Sequence, residues 1–425
     1  MTTARRAAVL VILDGMRRDL IAPELTPNIC ALMGRGTQFL AYRSVFPSAT
    51  RVVSSCTATG CWPAHHGLRG NSMALIEAGQ IVPHDAGHPD FLQHRRRVTG
   101  RALDRPTMAE RLAGRGGSVV FSNVSPGAAY AHDPDGFGFV YHRAGSFGPG
   151  RVALDDGIGD VTLDAAGDAA MTRRFLDEAV GRDGRHPALA VLWLGEPDSS
   201  QHKHPLGSPA ANAAIAAADA RLGEVMAAVD RSRADGDAVL LLAGSDHGHQ
   251  TVTEVIDINA VLAEAGFKSA GESAEDGLIA VSNGTGCLVY LSPVRTDGAE
   301  VVAFLRAQAW CARLYDAADL PEIGQAASGG LLCAVTMRCD GSENEFGVPG
   351  CGASAKPLGA KPGRLGFGQH GGLGRWEQMP FMIAEGAGFA AGGVDGRDAS
   401  PVDLAPTILG HLGVAADGCD GASLL

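Results

Sequence analysis

No lysine occurs before Lys203, and the whole chain carries 35 Lys and Arg against 47 Asp and Glu, a formal net charge of −12. Affinity for nucleic-acid polymers rests on many cations neutralising phosphates, so this balance excludes a general DNA or RNA binder. The one conspicuous basic cluster, Arg95, Arg96 and Arg97 with Arg101 nearby, reads as a solvated face, with contact to a substrate phosphate as the alternative. Long apolar runs are missing too: none approaches the roughly 18 to 20 residues of a membrane helix, so no membrane partner is expected. The run from Ala7 to Leu13 leads straight into Asp14 with no small-residue cleavage site behind it, which makes it a first strand rather than a secretion signal. Cysteine is too sparse for a disulfide scaffold. Nine residues, an odd number scattered along 425, point to reduced thiols and a soluble cytoplasmic protein. Internal repeats and low-complexity tails are absent as well.

What is present suits a large buried core, since 45% of the residues are hydrophobic. The 58 glycines have no collagen-like period and sit between apolar runs, as loop punctuation does. AAVLVILDG at the start, ALAVLWLGEPD (188–198) and AVLLLAGSDHG (238–248) are continuously apolar, rich in Val, Ile and Leu, and each delivers an aspartate at its end. That is the pattern of buried parallel strands. An Ala-rich stretch from about Pro209 to Arg231 suits a covering helix, and strand, helix, strand in alternation predicts an α/β fold with its ligand at the carboxyl ends of the strands. From about Thr251 to Leu365 the rhythm breaks into short β-like pieces (CLVYLS, LLCAVTM) and the turn-rich GVPGCGASAKPLGAKPGRL. This segment, 251–365, reads as an inserted cap in a core made of 1–250 and 366–425, where GFGQHGG, the strand-like MPFMIAEG and a closing helix around Pro401–Leu412 follow.

Asp198 and His202 lie four apart in EPDSSQH, so a helical turn after the strand places both on one face. Asp246 and His247 are adjacent in SDHG and can act together only on a bent loop, which Gly248 permits. With Asp14 and His370 they make three aspartates and three histidines at strand ends or in Gly-bounded loops, a donor set suited to Zn²⁺. A single Asp at a strand end is more often a helix N-cap; the ordered set carries the inference. His65, His66, His204 and His249 are read as supporting or surface histidines.

These blocks resemble the nucleotide pyrophosphatase/phosphodiesterase branch of the alkaline phosphatase superfamily. Thr50 follows Asp14 by 36 residues and Asn71 follows Thr50 by 21, the spacings of that family's nucleophile and its amide partner. FPSATRVVSSCTATGCWPAHHGLRGN, EPDSSQH, SDHG and GQHGG also come in the family's order. The resemblance covers the chain apart from 251–365. It implies a three-layer α/β/α sandwich around a mostly parallel, alkaline-phosphatase-like sheet, and two Zn²⁺ per chain. Asp198, His202 and His370 would hold one ion, and Asp14, Asp246, His247 and the Thr50 oxygen the other. Thr50 would attack phosphorus, and Asn71 would donate to a non-bridging oxygen. Among other nucleophiles, Ser48, Ser54 and Ser55 lack the required distance from Asp14. Cys61-Trp62-Pro63-Ala64-His65 departs from the sulfatase motif at His65.

Two departures bear on the substrate. Nucleotide-cleaving members usually place an aromatic residue directly after the threonine, where this chain has Arg51; a cation there favours a more anionic substrate, unless it turns away to pair with a surface acid. Phosphonoacetate hydrolase, a relative, uses two lysines where this chain could offer only arginines or a histidine, such as His142, Arg143 or the 95–97 cluster. The segment 122–148 is expected to contact substrate. The leading expectation is a zinc-dependent phosphodiesterase acting on a small phosphorus-containing substrate through a phospho-threonine. A phosphonate hydrolase or phosphate monoesterase on the same site comes second, and a metal-stabilised binding protein without catalysis third. A homodimer is left open as the assembly.

Overall fold

The computed structural model describes residues 4–155, 158–180, 184–359 and 365–425. Among these, ten strands form one sheet. In spatial order they are Gly393–Ala399, Thr37–Tyr42, Met382–Glu385, Ala238–Gly244, Arg6–Leu13, Leu189–Leu194, Ser118–Ser122, Phe139–Tyr141, Ser146–Gly148 and Val152–Leu154. The strands from Ala238–Gly244 to Phe139–Tyr141 are all parallel, whereas Met382–Glu385 runs antiparallel to both its neighbours.

Arg6–Leu13 sits at the centre because it is apolar on both faces. Ala8, Leu10 and Ile12 enter one core, with Val52, Val53 and Cys56 of the helix Thr50–Thr59 and with Leu404 and Ile408 of the helix Leu404–Leu412. Ala7, Val9, Val11 and Leu13 enter a second core on the opposite face, with residues of the helices Pro27–Arg35, Ala165–Phe175 and Pro209–Ala234. The period-2 alternation of a strand therefore feeds two helical layers, as the three-layer expectation requires. The long helix spans Pro209–Ala234, three residues beyond the reading from sequence, with Ser208 accepting the Ala211 N–H at its start.

Between Gly244 and Met382 the described chain adds no strand to the large sheet. It builds two four-stranded sheets, one of Leu278–Asn283, Gly286–Leu291, Leu331–Met337 and Cys311–Tyr315, the other of Cys339–Glu343, Pro349–Ala355, Gln250–Ile256 and Gly368–Gln369. One expectation fails here. The start of the turn-rich stretch, Pro349–Ala355, is a strand paired on both sides. Its glycines serve close approach rather than turning: a Cβ on Gly350 would lie 2.6 Å from the Trp376 ring. Residues 360–364 of the same stretch lie outside the described residues. All nine cysteines are free thiols, and no helix among the described residues is long and apolar enough to cross a membrane.

Because Leu10 is fully buried in the central strand, Leu10→Ala is expected to lower the free energy of unfolding by about 2–5 kcal/mol. Denaturant titration would measure it; a loss under about 1 kcal/mol would place the core elsewhere.

Candidate active site

The three neighbouring parallel strands Ala238–Gly244, Arg6–Leu13 and Leu189–Leu194 end on the same edge of the sheet. Asp246, Asp14 and Asp198 follow those ends, so topology alone brings three carboxylates together. Asp198 opens the short helix Asp198–Gln201, and His202 closes it, on the same side as expected. His370 returns from the loop after Gly368–Gln369, and Thr50 is the first residue of its helix. That helix points the partial positive charge of its N-terminus at the same place.

The geometry has two foci. His202, His249 and His370 bring their Nε2 atoms to 3.1, 2.9 and 3.4 Å from a single oxygen, Asp198 Oδ1. Beside them, His247 Nε2 lies 3.3 Å from Thr50 Oγ1, 3.4 Å from Asp14 Oδ1 and 3.1 Å from Asp246 Oδ2. The His247 and His370 rings stack with centroids 3.6 Å apart.

The partners behind these groups decide what they can do. The Nδ1 atoms of His202, His247, His249 and His370 meet the backbone carbonyls of Gly368, Gly248, Gly15 and Ser48 at 2.9, 3.1, 3.1 and 2.7 Å. A carbonyl only accepts, so each ring carries its proton on Nδ1 and presents a lone pair at Nε2. Asp14 Oδ2 accepts the Trp193 indole N–H at 2.8 Å, and Asp246 Oδ1 accepts the backbone N–H groups of Gly15 and His247. The other oxygens, Asp14 Oδ1 and Asp246 Oδ2, together with Asp198 Oδ1 and His249 Nε2, are buried with no hydrogen-bond partner. Lone pairs converging on lone pairs in a buried place are costly unless a cation receives them. Two sets of donor atoms lie close enough to share an ion: Asp198, His202, His249 and His370, and Asp14, Asp198 and His247. The residues therefore fit a metal centre.

Electrostatics agree for Asp14, Asp246, His247 and His249, whereas burial at Asp198 and His202 is overcome by the attraction between them, which holds the Asp198 carboxyl well below its usual range and His202 above its ordinary value. Burial, with Asp246 and Asp198 close by, pushes the Asp14 carboxyl well above the usual carboxylate range. Burial pushes Asp246 up to about 8 against the pull of the backbone N–H of Gly15. Burial holds His247 well below its ordinary value and His249 at about 4, so both rings stay neutral and can ligate.

His249 is the residue the sequence reading set aside. It is fully buried, and its signal was present in SDHGH, where it lies two positions after His247. Gly15 makes room for it: φ is +70°, and a Cβ there would stand 2.4 Å from the His249 ring. Trp193 and Glu377 also escaped notice. Glu377 accepts the N–H groups of Gly372 and Gly374 and the Thr285 hydroxyl, bracing the loop that carries His370. His65 pairs with Asp420, His66 lies against Cys56, and His204 is exposed.

Asn71 Oδ1 accepts the Arg51 backbone N–H at 3.0 Å, the capping bond that Ala49 cannot make, so the NH₂ end of the amide is the one left to donate. Arg51 neither turns wholly away nor stands free in the cavity. It lines the cavity while its guanidinium donates to Ser125 Oγ and the Asn71 carbonyl and stands 3.6 Å from the exposed Asp85. That cavity, about 1000 Å³, is also lined by Asp14, Thr50, Asn71, Asp198, His202 and His370. Ser125 and Arg143 from the 122–148 segment are in its wall; Arg95 is not, being buried against Asp104. Ser48 and Ser55 spend their hydroxyls on the carbonyls of Gly372 and Arg51, and Cys61 Sγ turns to the Gly418 carbonyl.

Comparison with known proteins gives a consistent result. The family model described as type I phosphodiesterase / nucleotide pyrophosphatase matches residues 8–321. Two solved structures of murine ectonucleotide pyrophosphatase / phosphodiesterase 5 superpose with a TM-score of 0.70 at 17% identity, covering 98% of this chain and 98% of theirs. One of them is an inactive threonine-to-alanine form in complex with AMP. At that identity the likeness establishes the fold. No curated protein matches the chain by sequence.

A carboxyl whose pKa is raised by folding keeps its proton in the folded chain after the unfolded chain has lost it. The metal-free fold therefore loses stability as pH rises from the ordinary carboxylate range towards about 8, the Asp246 value. Bound cations reverse that cost. The gap in Tm between metal-loaded and chelator-treated protein is expected to widen as pH rises from about 6.5 to about 8. A gap that stays constant or narrows would remove the carboxylates from the metal centre.

Proposed function

The chain belongs to the type I phosphodiesterase / nucleotide pyrophosphatase family, and on that premise we propose that it is a di-zinc phosphodiesterase that cleaves a small phosphodiester through a phospho-threonine on Thr50. The family is one of phosphodiester and pyrophosphate hydrolases. The observation that carries the finer reading is the convergence of four imidazole lone pairs and three unpartnered carboxylate oxygens beside the Thr50 hydroxyl.

Asp198, His202 and His370 would hold one zinc, with His249 added to that group, and Asp14, Asp246, His247 and Thr50 would hold the other. When bound, the pair of ions supplies positive charge that lowers the pKa of the Thr50 hydroxyl and offsets the charge of the phosphorus oxygens. Thr50 Oγ1 then attacks phosphorus as the bond to the leaving alcohol breaks, and water later cleaves the Thr50 ester, restoring the hydroxyl. The Asn71 NH₂ donates to a non-bridging oxygen, and the N-terminus of the Thr50 helix adds its dipole. We read 251–365 as an inserted cap over this edge. Asn283, Gly284 and Leu358 of that segment, which line the cavity, support the reading.

Arg51 and Arg143 in the cavity wall favour substrates with anionic charge beyond the scissile group. They keep a second reading in view, a phosphonate hydrolase or phosphate monoesterase on the same site. AMP, held by the murine relative in its inactive form, is a natural probe for the same cavity.

Thr50→Ala is expected to lower kcat at least about 10³-fold, with the fold intact by circular dichroism. Turnover retained in that variant would show that another group attacks. Asn71→Ala should cost about 10² to 10³ in kcat. A panel of diester, monoester, nucleotide and phosphonoacetate separates the readings. Arg51→Ala is expected to reduce kcat/KM for a monoester roughly tenfold more than for an uncharged-tail diester, and an equal reduction would remove Arg51 from substrate selection.

A further inference from the structure

A second convergence of metal-binding side chains lies on a different part of the fold. The strands Ser72–Glu77 and Gln80–Asp85 form a hairpin closed by Ala78 and Gly79, both at positive φ, a tight two-residue turn that fixes the register. The helix Phe91–Thr99 packs beside it. Glu77 comes from one strand, His84 from the other and His94 from the helix, so three separate elements deliver one carboxylate and two imidazoles. Nε2 of His84 and Nε2 of His94 lie 2.5 and 2.8 Å from the same atom, Glu77 Oε1. The two rings stand 4.8 Å apart, and Phe91 packs against the His84 ring at 5.9 Å. The three donor atoms all lie within 4.8 Å of one another.

We propose that Glu77, His84 and His94 form an additional binding site for a zinc-class divalent cation, sharing no residue with the Thr50 centre and leaving a fourth coordination position open at the cavity rim. Two imidazoles and one carboxylate are a common three-ligand set for such ions, and the open position is the usual companion of three protein ligands. An ion at roughly 2.0–2.2 Å from each donor needs donor separations near 3.3 Å, so the two distances to Glu77 Oε1 must open by less than about 1 Å. The side chains of Glu77, His84 and His94 are 26%, 20% and 30% exposed, which leaves a side for water or a ligand oxygen. His84 also lines the cavity described above. The open position therefore suits an anionic oxygen of whatever occupies that cavity, such as a carboxylate or a distal phosphate.

The competing account is a plain hydrogen-bonded triplet, and stoichiometry tells the two apart. The full chain would be equilibrated with Zn²⁺, dialysed, and its zinc counted by atomic emission in the wild type, His94→Ala and Glu77→Gln. The wild type is expected to retain one zinc per chain more than either variant, whatever the Thr50 centre holds. Equal zinc in all three would overturn the site and leave a hydrogen-bonded triplet. Glu77→Gln keeps the shape and an acceptor oxygen while removing the anionic ligand, so it decides the matter even if His94→Ala fails to fold.

Discussion

Four histidines turned outward-in govern this molecule. Each gives its Nδ1 proton to a backbone carbonyl, of Gly368, Gly248, Gly15 or Ser48, and so each is committed to presenting a lone pair at the same buried spot. Three aspartates do likewise, spending one oxygen or none on donors and leaving Asp14 Oδ1, Asp198 Oδ1 and Asp246 Oδ2 without partners. A fold that buries so many acceptors against one another is under electrostatic stress that either retained protons or a bound cation would relieve. The raised carboxyls of Asp14 and Asp246 express that stress.

The scaffold exists to hold those orientations. Parallel pairing of three adjacent strands sets the spacing of the aspartates, and two apolar cores clamp the central strand from both faces. The supporting bonds are main-chain ones for the most part, which makes the site rigid, since carbonyls cannot rotate away as side chains can. Glu377 extends the same logic to the His370 loop, whose glycines would otherwise be free to move. Arg51 is held between Asn71, Ser125 and Asp85, so its guanidinium is fixed in the cavity wall rather than swinging in solvent.

Much of this was legible in the sequence because it is local. An apolar run ending in Asp14, Asp198 or Asp246 states both the strand and the residue at its end, and the helical spacing of Asp198 and His202 survives unchanged as the turn Asp198–Gln201. Pro349–Ala355 reads as turn from sequence because it lies in a stretch rich in glycine and proline. Its strand pairing comes from neighbours about ten and a hundred residues away, and its glycines answer to close neighbours rather than to a turn, Gly350 to Trp376 and Gly352 to the Arg338 carbonyl. His249 was passed over for a related reason: its place beside Asp198 depends on Gly15 admitting the ring, a contact between residues 234 apart.

The sequence by itself determined the α/β class of fold and the order of the metal-suited side chains, since both follow from periodicity and position along one chain; the threonine and asparagine were singled out by spacings shared with the family the chain resembles. Only the tertiary structure decided the direction of each donor atom: which nitrogen of each imidazole faces inward, which carboxylate oxygen is left bare, and that Arg51 meets Asp85 while staying in the cavity. Those directions are set by long-range partners, chiefly backbone carbonyls whose side-chain identity is irrelevant, and a string of residue types does not record where a carbonyl points.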